Sequence, residues 1–365
     1  MWSVIFGTVI ALSVLGIVYL GFAVSRFGGI KKLSRGRRIV GLLISLGIVG
    51  VLFLIFKLTL STVNAVMILL HEVLFFLLFG LIFRIAGKVR GRETKYNWQG
   101  WLSVSLSAVW LTAGWVLCHG VWQTDYSLST EKQLGELKIA LIADSHIGTT
   151  FDGEGFAEHL KTIAEQSPDI LFIAGDFADN STTSEDLQKA CEALGGLDLK
   201  YGVWYCYGNH DRGYAGRMGY TADALEKALR DNGVHILEDE CELVDGRFYV
   251  AGRKDKSRDR DRRDINSLLS GLDIEKYIIV LDHQPSDYDA EAASAADLVL
   301  SGHTHGGQLI PATYVGEWFG MNDRTYGHER RNDTDFIVTS GISDWEIKFK
   351  TGTKSEFVII SVEGK

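Results

Sequence analysis

Four stretches within the first 125 residues are almost wholly apolar and each about 20 residues long, more than a water-soluble core of that size can absorb. They cover residues 2–24, 39–60, 63–86 and 101–122. A helix of that length crosses the hydrocarbon of a bilayer with its backbone hydrogen bonds satisfied internally. The sequence therefore predicts a four-helix transmembrane domain over residues 1–125. Trp98, Trp101, Trp122 and Tyr126 stand at interfacial ends, where amphipathic rings settle. The first stretch opens on Met-Trp-Ser, with no basic residue and no clear cleavage site behind it, unlike a removable leader.

Charge orients these spans. Arg26, Lys31, Lys32, Arg35, Arg37 and Arg38 follow the first span without an acid, and Arg84, Lys88, Arg90, Arg92 and Lys95 follow the third against Glu93 alone. Basic loops stay cytoplasmic, so both termini are expected outside, giving a multi-pass cell-membrane protein with an extracytoplasmic second half. Residues 1–130 carry 12 Lys and Arg against 3 Asp and Glu, leaving 25 against 43 beyond. So acidic a second half offers no broad grip on a phosphate backbone, and no nucleic-acid partner is expected.

That second half alternates short apolar runs with helical patterns. Residues 138–144 (KIALIAD), 169–176, 202–210, 277–283 and 297–303 read as strands buried on both faces, and 156–165 and 185–194 as helices. The pattern predicts an α/β fold over residues 138–365, joined to the spans by a linker over 126–137. Each run ends in potential metal ligands: Asp144-Ser145-His146, Gly175-Asp176, Gly208-Asn209-His210-Asp211, Asp282-His283 and Gly302-His303-Thr304-His305. Ligands of open α/β sheets sit beyond the carboxyl ends of strands, so five loops are expected to converge. Carboxylate, amide oxygen and imidazole suit Mn, Fe or Zn. Two such ions side by side make a hydrolytic site for phosphate esters.

The order D-x-H, G-D-x-x-D, G-N-H-D, a lone His and G-H-x-H resembles the calcineurin-like metallophosphoesterases, and Gly-Gly-Gln after His305 resembles their membrane-anchored bacterial phosphodiesterase branch. The resemblance covers roughly residues 138–310. It implies a layered β-sandwich flanked by helices and two divalent metal ions, Mn favoured over Fe or Zn. It further implies that Asp144, His146 and His305 bind one ion, that Asn209, His283 and His303 bind the other, and that Asp176 bridges them. A bridging hydroxide would attack phosphorus, His210 would be the catalytic His, and Asp211 would hold its ring. Asp179 and Asp282 are candidates to orient ligating imidazoles. One departure is residues 339–350 (TSGISDWEIKFK), which lack the proline-rich continuation common in that branch. That puts substrate recognition in question rather than the metal site. No substrate-binding residue can be named.

Residues 253–264 alternate seven basic with four acidic side chains. They read as a solvated loop, or as a cap whose arginines meet anionic groups. His71 and Glu72 are ionisable residues inside the third span, with no role that sequence assigns. Cys118, Cys191, Cys206 and Cys241 show no C-x-x-C spacing and are expected to serve packing. Two function classes follow. One is a membrane-anchored metal-dependent phosphoesterase acting on a diester or monoester. The other is a transport or sensing protein whose outer domain binds metal or phosphate without turnover. Four spans exceed what an anchor requires, which directs attention to membrane lipids and a lipid-linked substrate.

Overall fold

The computed structural model describes residues 2–91, 96–213 and 219–365. They form two compact units, 1–114 and 115–365. The first holds α1 (Trp2–Val24), α2 (Gly28–Leu33), α3 (Arg38–Thr59), α4 (Thr62–Arg90) and most of α5 (Trp98–His119). All but α2 are long and apolar enough to cross a membrane. Large side chains such as Ile39, Leu43, Leu58 and Leu81 face outward, a surface suited to hydrocarbon rather than water. Small residues let the helices approach one another. A Cβ on Gly16 would lie 2.9 Å from Val73, and one on Gly21 2.6 Å from Leu46. Inside α4, His71 Nδ1 lies 2.8 Å from the Met67 carbonyl, and Glu72 accepts a hydrogen bond from Ser107 at 2.5 Å. Residues 92–95 of the second basic loop lie outside the described residues.

The second unit contains two six-stranded sheets. The first runs in the order β1 (Val121–Ser129), β12 (Ser355–Glu363), β2 (Glu136–Ile142), β3 (Ile170–Ala174), β4 (Val203–Cys206), β5 (His235–Ile236). The second runs β10 (Gly327–Arg331), β11 (Thr334–Val338), β9 (Leu298–Ser301), β8 (Tyr277–Leu281), β7 (Phe248–Gly252), β6 (Glu240–Val244). Strands β2 to β5 are mutually parallel, as are β11, β9, β8 and β7. Alternation along each strand builds the layers. Ile139 and Leu141 meet Phe248, Ile279 and Leu300 between the sheets. Ala140 and Ile142 face a second core shared with α6 (Gly153–Ala164), α7 (Ser184–Gly195) and α8 (Ala222–Asp231). Ile278 and Val299 face α9 (Ile265–Leu269) and α10 (Tyr288–Ala292) on the other side. The result is the α/β architecture that the alternating pattern predicted, in the form of the layered β-sandwich flanked by helices that the resemblance implied. A last short helix, α11 (Val315–Trp318), lies in the long β9–β10 connection.

The junction between the spans and the sheets differs from expectation. Helix α5 ends at His119 rather than 122, and half of the segment expected to be a linker is strand, residues 126–129 in β1 and 136–137 in β2. Strand β1 runs parallel to β12 over nine residue pairs, from Val121↔Ser355 to Ser129↔Glu363. Tyr126 and Leu128 alternate with Asp125, Ser127 and Ser129, the period of a half-buried strand. The aromatic residues of the preceding span obscure it. Glu356, fully buried in β12, accepts hydrogen bonds from Thr124 of β1, Tyr326, Thr339 and the Ser340 amide, which pins this edge.

Phe172 lies wholly buried between the sheets. Phe172→Ala should lower the unfolding free energy of the second unit by about 3–5 kcal/mol, read by urea titration of tryptophan fluorescence. A loss below about 1 kcal/mol would contradict the assigned core position.

Candidate metal centre

The carboxyl ends of β2, β3, β4, β7, β8, β9 and β11 all deliver loops to one place. Asp144 and His146 follow β2, Asp176 and Asp179 follow β3, and Asn209, His210 and Asp211 follow β4. His283 follows β8, and His303 and His305 follow β9. The carboxylate of Asp144 and the ring nitrogens of His146 and His305 lie within 4.8 Å of one another, and so do the donor atoms of Asp176, His283 and His303. Asn209 Oδ1 joins the second group at 3.2 Å from His283 Nε2. Asp176 Oδ2 lies between the groups, 3.7 Å from His146 Nε2 and 3.2 Å from His283 Nε2.

Ring orientation fits a cation. His146 turns Nδ1 to Asp179 at 3.0 Å, while its buried Nε2 has no hydrogen-bond partner among the described residues. His283 turns Nδ1 to the Ala174 carbonyl at 2.8 Å and presents Nε2 to Asp176. An imidazole held through one nitrogen presents the lone pair of the other. The two groups offer carboxylates and imidazoles, with an amide oxygen in the second, donors suited to divalent cations.

The backbone is bent to make this geometry. Asp144, His146, Asp176, His303 and His305 all have positive φ, between 36° and 70°. L-residues adopt that region at a cost that clusters at functional sites. The preceding glycines serve close approach as much as turning. A Cβ on Gly208 would lie 2.2 Å from Asp176 Oδ1, although only Gly175, with φ of 80°, needs the left-handed region. Backbone amides hold the carboxylates in turn. His210 N–H donates to Asp176 at 2.7 Å, and His303 N–H to Asp144 at 2.9 Å.

Burial and charge oppose one another here. Burial alone would lower His146, but its hydrogen bond with Asp179 and the charges of Asp176, Asp179 and Asp144 lift it to about 9. Burial likewise disfavours a charge on His283, and Asp176 overrides it, raising the ring well above its ordinary value. For His303 burial wins, helped by neighbouring His283, and the pKa falls to about 3. His210 is pushed down to about 4, chiefly by burial. Its ring stands 5.0 Å from that of His146 and 5.4 Å from that of Trp345.

Two expectations change, for Asp282 and for residues 253–264. The Asp211 carboxylate is engaged by the backbone. It accepts from the amides of Asp176, Phe177, Ala178 and Gly208 at 2.6–3.1 Å, tying the β3 and β4 loops together. Asp282 orients no imidazole, since its carboxylate is taken by Arg253 at 3.0 Å and by Arg262. Residues 253–264 are therefore not simply a solvated loop. Arg253 is 2% exposed and also pairs with Asp287 and Glu291 at 2.8 and 2.9 Å. Residues 339–350 contribute what sequence reasoning missed. Asp344 Oδ1 stands 3.2 Å from His305 Nδ1. Fully buried Lys350 lies 3.6 Å from Asp344 and donates to the Ser340 and Ser343 carbonyls at 2.7 and 3.0 Å. The available signal was the apolar run of β11 ending in polar residues, as every ligand-bearing strand does. All four cysteines are free.

Comparison with known proteins places this geometry. The family model described as Calcineurin-like phosphoesterase matches residues 137–307. An uncharacterised metallophosphoesterase of Aquifex aeolicus is 30% identical over 248 residues, 66% of this chain and 91% of that protein. One from Campylobacter jejuni is 31% identical over 235 residues, 63% of this chain and 60% of that protein. A transmembrane protein with metallophosphoesterase domain from Danio rerio is 29% identical over 255 residues, 65% of this chain and 56% of that protein. The chain thus matches less than two thirds of the length of the last two.

Asp179 and Asp344 each stand at the outward nitrogen of an imidazole in the first donor group. Asp179→Ala and Asp344→Ala should each weaken Mn²⁺ binding about 10–100-fold, the usual cost of losing such a partner. Isothermal titration of the metal-stripped protein measures this, and unchanged affinity in both variants would remove the orienting role.

Proposed function

Because the chain belongs to the calcineurin-like phosphoesterase family, we propose that it is a membrane-anchored, dinuclear-metal phosphoesterase acting on a phosphodiester or phosphomonoester, on a lipid or lipid-linked substrate. The observation that carries the reading is Asp176, a buried carboxylate of one donor group that also lies 3.7 Å from His146 Nε2 of the other. Asp144, His146 and His305 would hold one ion and Asn209, His283 and His303 the other, with Asp176 between them. Two divalent ions supply charge neutralisation for the phosphate and lower the pKa of bound water.

The chain's own groups do the rest. Asp179 fixes the His146 tautomer by taking its Nδ1–H, and Ala174 does the same for His283. Asp211 ties the β3 loop that carries Asp176 to the β4 loop that carries Asn209, so these donors keep their spacing. His210, only half-buried beside Trp345, can place an N–H on the leaving oxygen. Its ring is neutral at pH 7 in the protein alone, and an arriving phosphate anion favours its protonated form.

Basic residues 26–38 and 84–95 on the cytoplasmic side would leave the second unit outside. A cysteine introduced at exposed Ser257 should react with an impermeant thiol reagent in intact cells. Cys118, Cys191 and Cys206 are buried, so native background is small. Labelling only after lysis would place the site in the cytoplasm and direct the search to inner-leaflet precursors.

Two variants separate binding from chemistry. Asp176→Asn should lose metal and nearly all hydrolysis of bis(p-nitrophenyl) phosphate. His210→Ala should keep its metal while turnover falls by about 10²–10⁴-fold, least for esters with good leaving groups. Full metal occupancy in the first variant, or an equal loss across leaving groups in the second, would refute the respective role.

A further inference from the structure

The connection from the first donor group to β10 carries an apolar surface that no described residue of the second unit covers. Within residues 310–321, Ile310, Tyr314, Trp318, Phe319 and Met321 are exposed, Trp318 by 71% and Phe319 by 77%. Exposed apolar groups are ordinary when scattered. Here five large ones occupy twelve residues, and Trp345, 42% exposed, adds a sixth beside His210. The segment is not a loose end. Thr304 donates to the Thr325 carbonyl at 2.6 Å, and the Asp323 amide donates to the Pro285 carbonyl at 2.8 Å. Its C-terminal end is thus fastened to the loops that carry His303, His305 and His283.

A second line of contacts, all within residues 115–365, says what covers this surface. The last turn of α5 is the end of a helix long and apolar enough to cross a membrane. Trp115 packs on Phe349 at 5.8 Å between ring centres, and Cys118 Sγ lies 3.4 Å from Asp344. The segment those residues belong to holds the apolar connection directly. Gln308 donates to the Ile347 carbonyl at 2.9 Å, and Ile310 N–H to Thr351 Oγ1 at 3.0 Å. From the end of a span, a chain of direct contacts leads through residues 344–351 to the exposed rings. Aromatic side chains with one polar edge settle at the level where spans end.

We infer that residues 310–321 form a membrane-docking surface that seats in the lipid interface and brings the metal centre to phosphate groups at the bilayer surface. The inference deepens the phosphoesterase reading, on which its substrate side rests, by naming the occupant of the surface as lipid. The rings supply apolar contact, while Glu317 is turned inward to the Thr325 amide and puts no charge in the way. A headgroup phosphate then reaches the site past Trp345 and His210 without leaving the interface.

The test uses the full chain in phosphatidylcholine nanodiscs containing doxyl-labelled phosphatidylcholine. An environment-sensitive fluorophore is attached at Phe319→Cys, with Ile274→Cys, another exposed apolar position outside this surface, as the control. The inference expects blue-shifted emission and strong quenching by the doxyl lipid at 319, with neither at 274. An unquenched label at 319, or equal quenching at both positions, overturns it, and an unquenched but water-shielded label at 319 would mean a protein partner instead. Hydrolysis of bis(p-nitrophenyl) phosphate by the same preparations keeps the two readings apart. Quenching without hydrolysis leaves the docking surface and removes the enzyme, whereas hydrolysis without quenching removes only the docking surface. Trp318→Ser combined with Phe319→Ser should abolish the shift of a label at Met321→Cys while leaving hydrolysis of the soluble diester within about twofold of the parent.

Discussion

Asp144, His146, Asp176, Asp179 and His283 are each at most 3% exposed, and they share one small volume. Removing a carboxylate from water costs several kcal/mol unless positive charge or hydrogen bonds replace the solvent. The loops replace part of it with backbone amides, two of which come from His210 and from the candidate ligand His303. The remainder appears as a pull toward positive charge, strong enough to raise His146 to about 9 and His283 well above its ordinary value against their burial. A cluster with that demand at the mouths of parallel strands is stable in company with cations. The rest of the second unit exists to hold it.

Rigidity comes from the sandwich. Parallel strands of two sheets, packed through one core and backed by helices, end at nearly one point, so short loops suffice to bring distant residues together. Those loops accept positive φ at five of the candidate ligand residues, a strain that only a well-packed scaffold can impose. Asp211, held at about 6 by burial and the nearby Asp176 charge, binds four amides and keeps two of the loops in step. Arg253 and Arg262 hold the loop of His283 through Asp282, and Lys350 holds that of Asp344. Buried charged side chains thus act as struts around the donors.

The parts legible in the sequence were those with a local signature. An apolar run ending in Asp, Asn or His marks a buried strand and its ligand loop together, which is why Asp144, Asp176, Asn209, His283 and His303 could be named and placed. The four spans were equally plain. What stayed hidden depends on distance or on mixed signals. Asp344 meets His305 only because β11 runs beside β9. Alternating charges in residues 253–264 read like a solvated surface, since nothing local distinguishes a guanidinium facing water from one facing three carboxylates. Strand β1 was masked by aromatic residues continuing from α5. Asp211 sits next to His210 in sequence, yet three of the four amides it binds belong to another loop.

The central claim is that two cations share Asp176. Anomalous diffraction at the manganese edge, from crystals of the full chain grown with Mn²⁺, tests it directly. The account predicts two peaks, one among Asp144, His146 and His305 and one among Asn209, His283 and His303, both within bonding distance of the Asp176 carboxylate. A single peak, or two peaks of which only one touches Asp176, would contradict it.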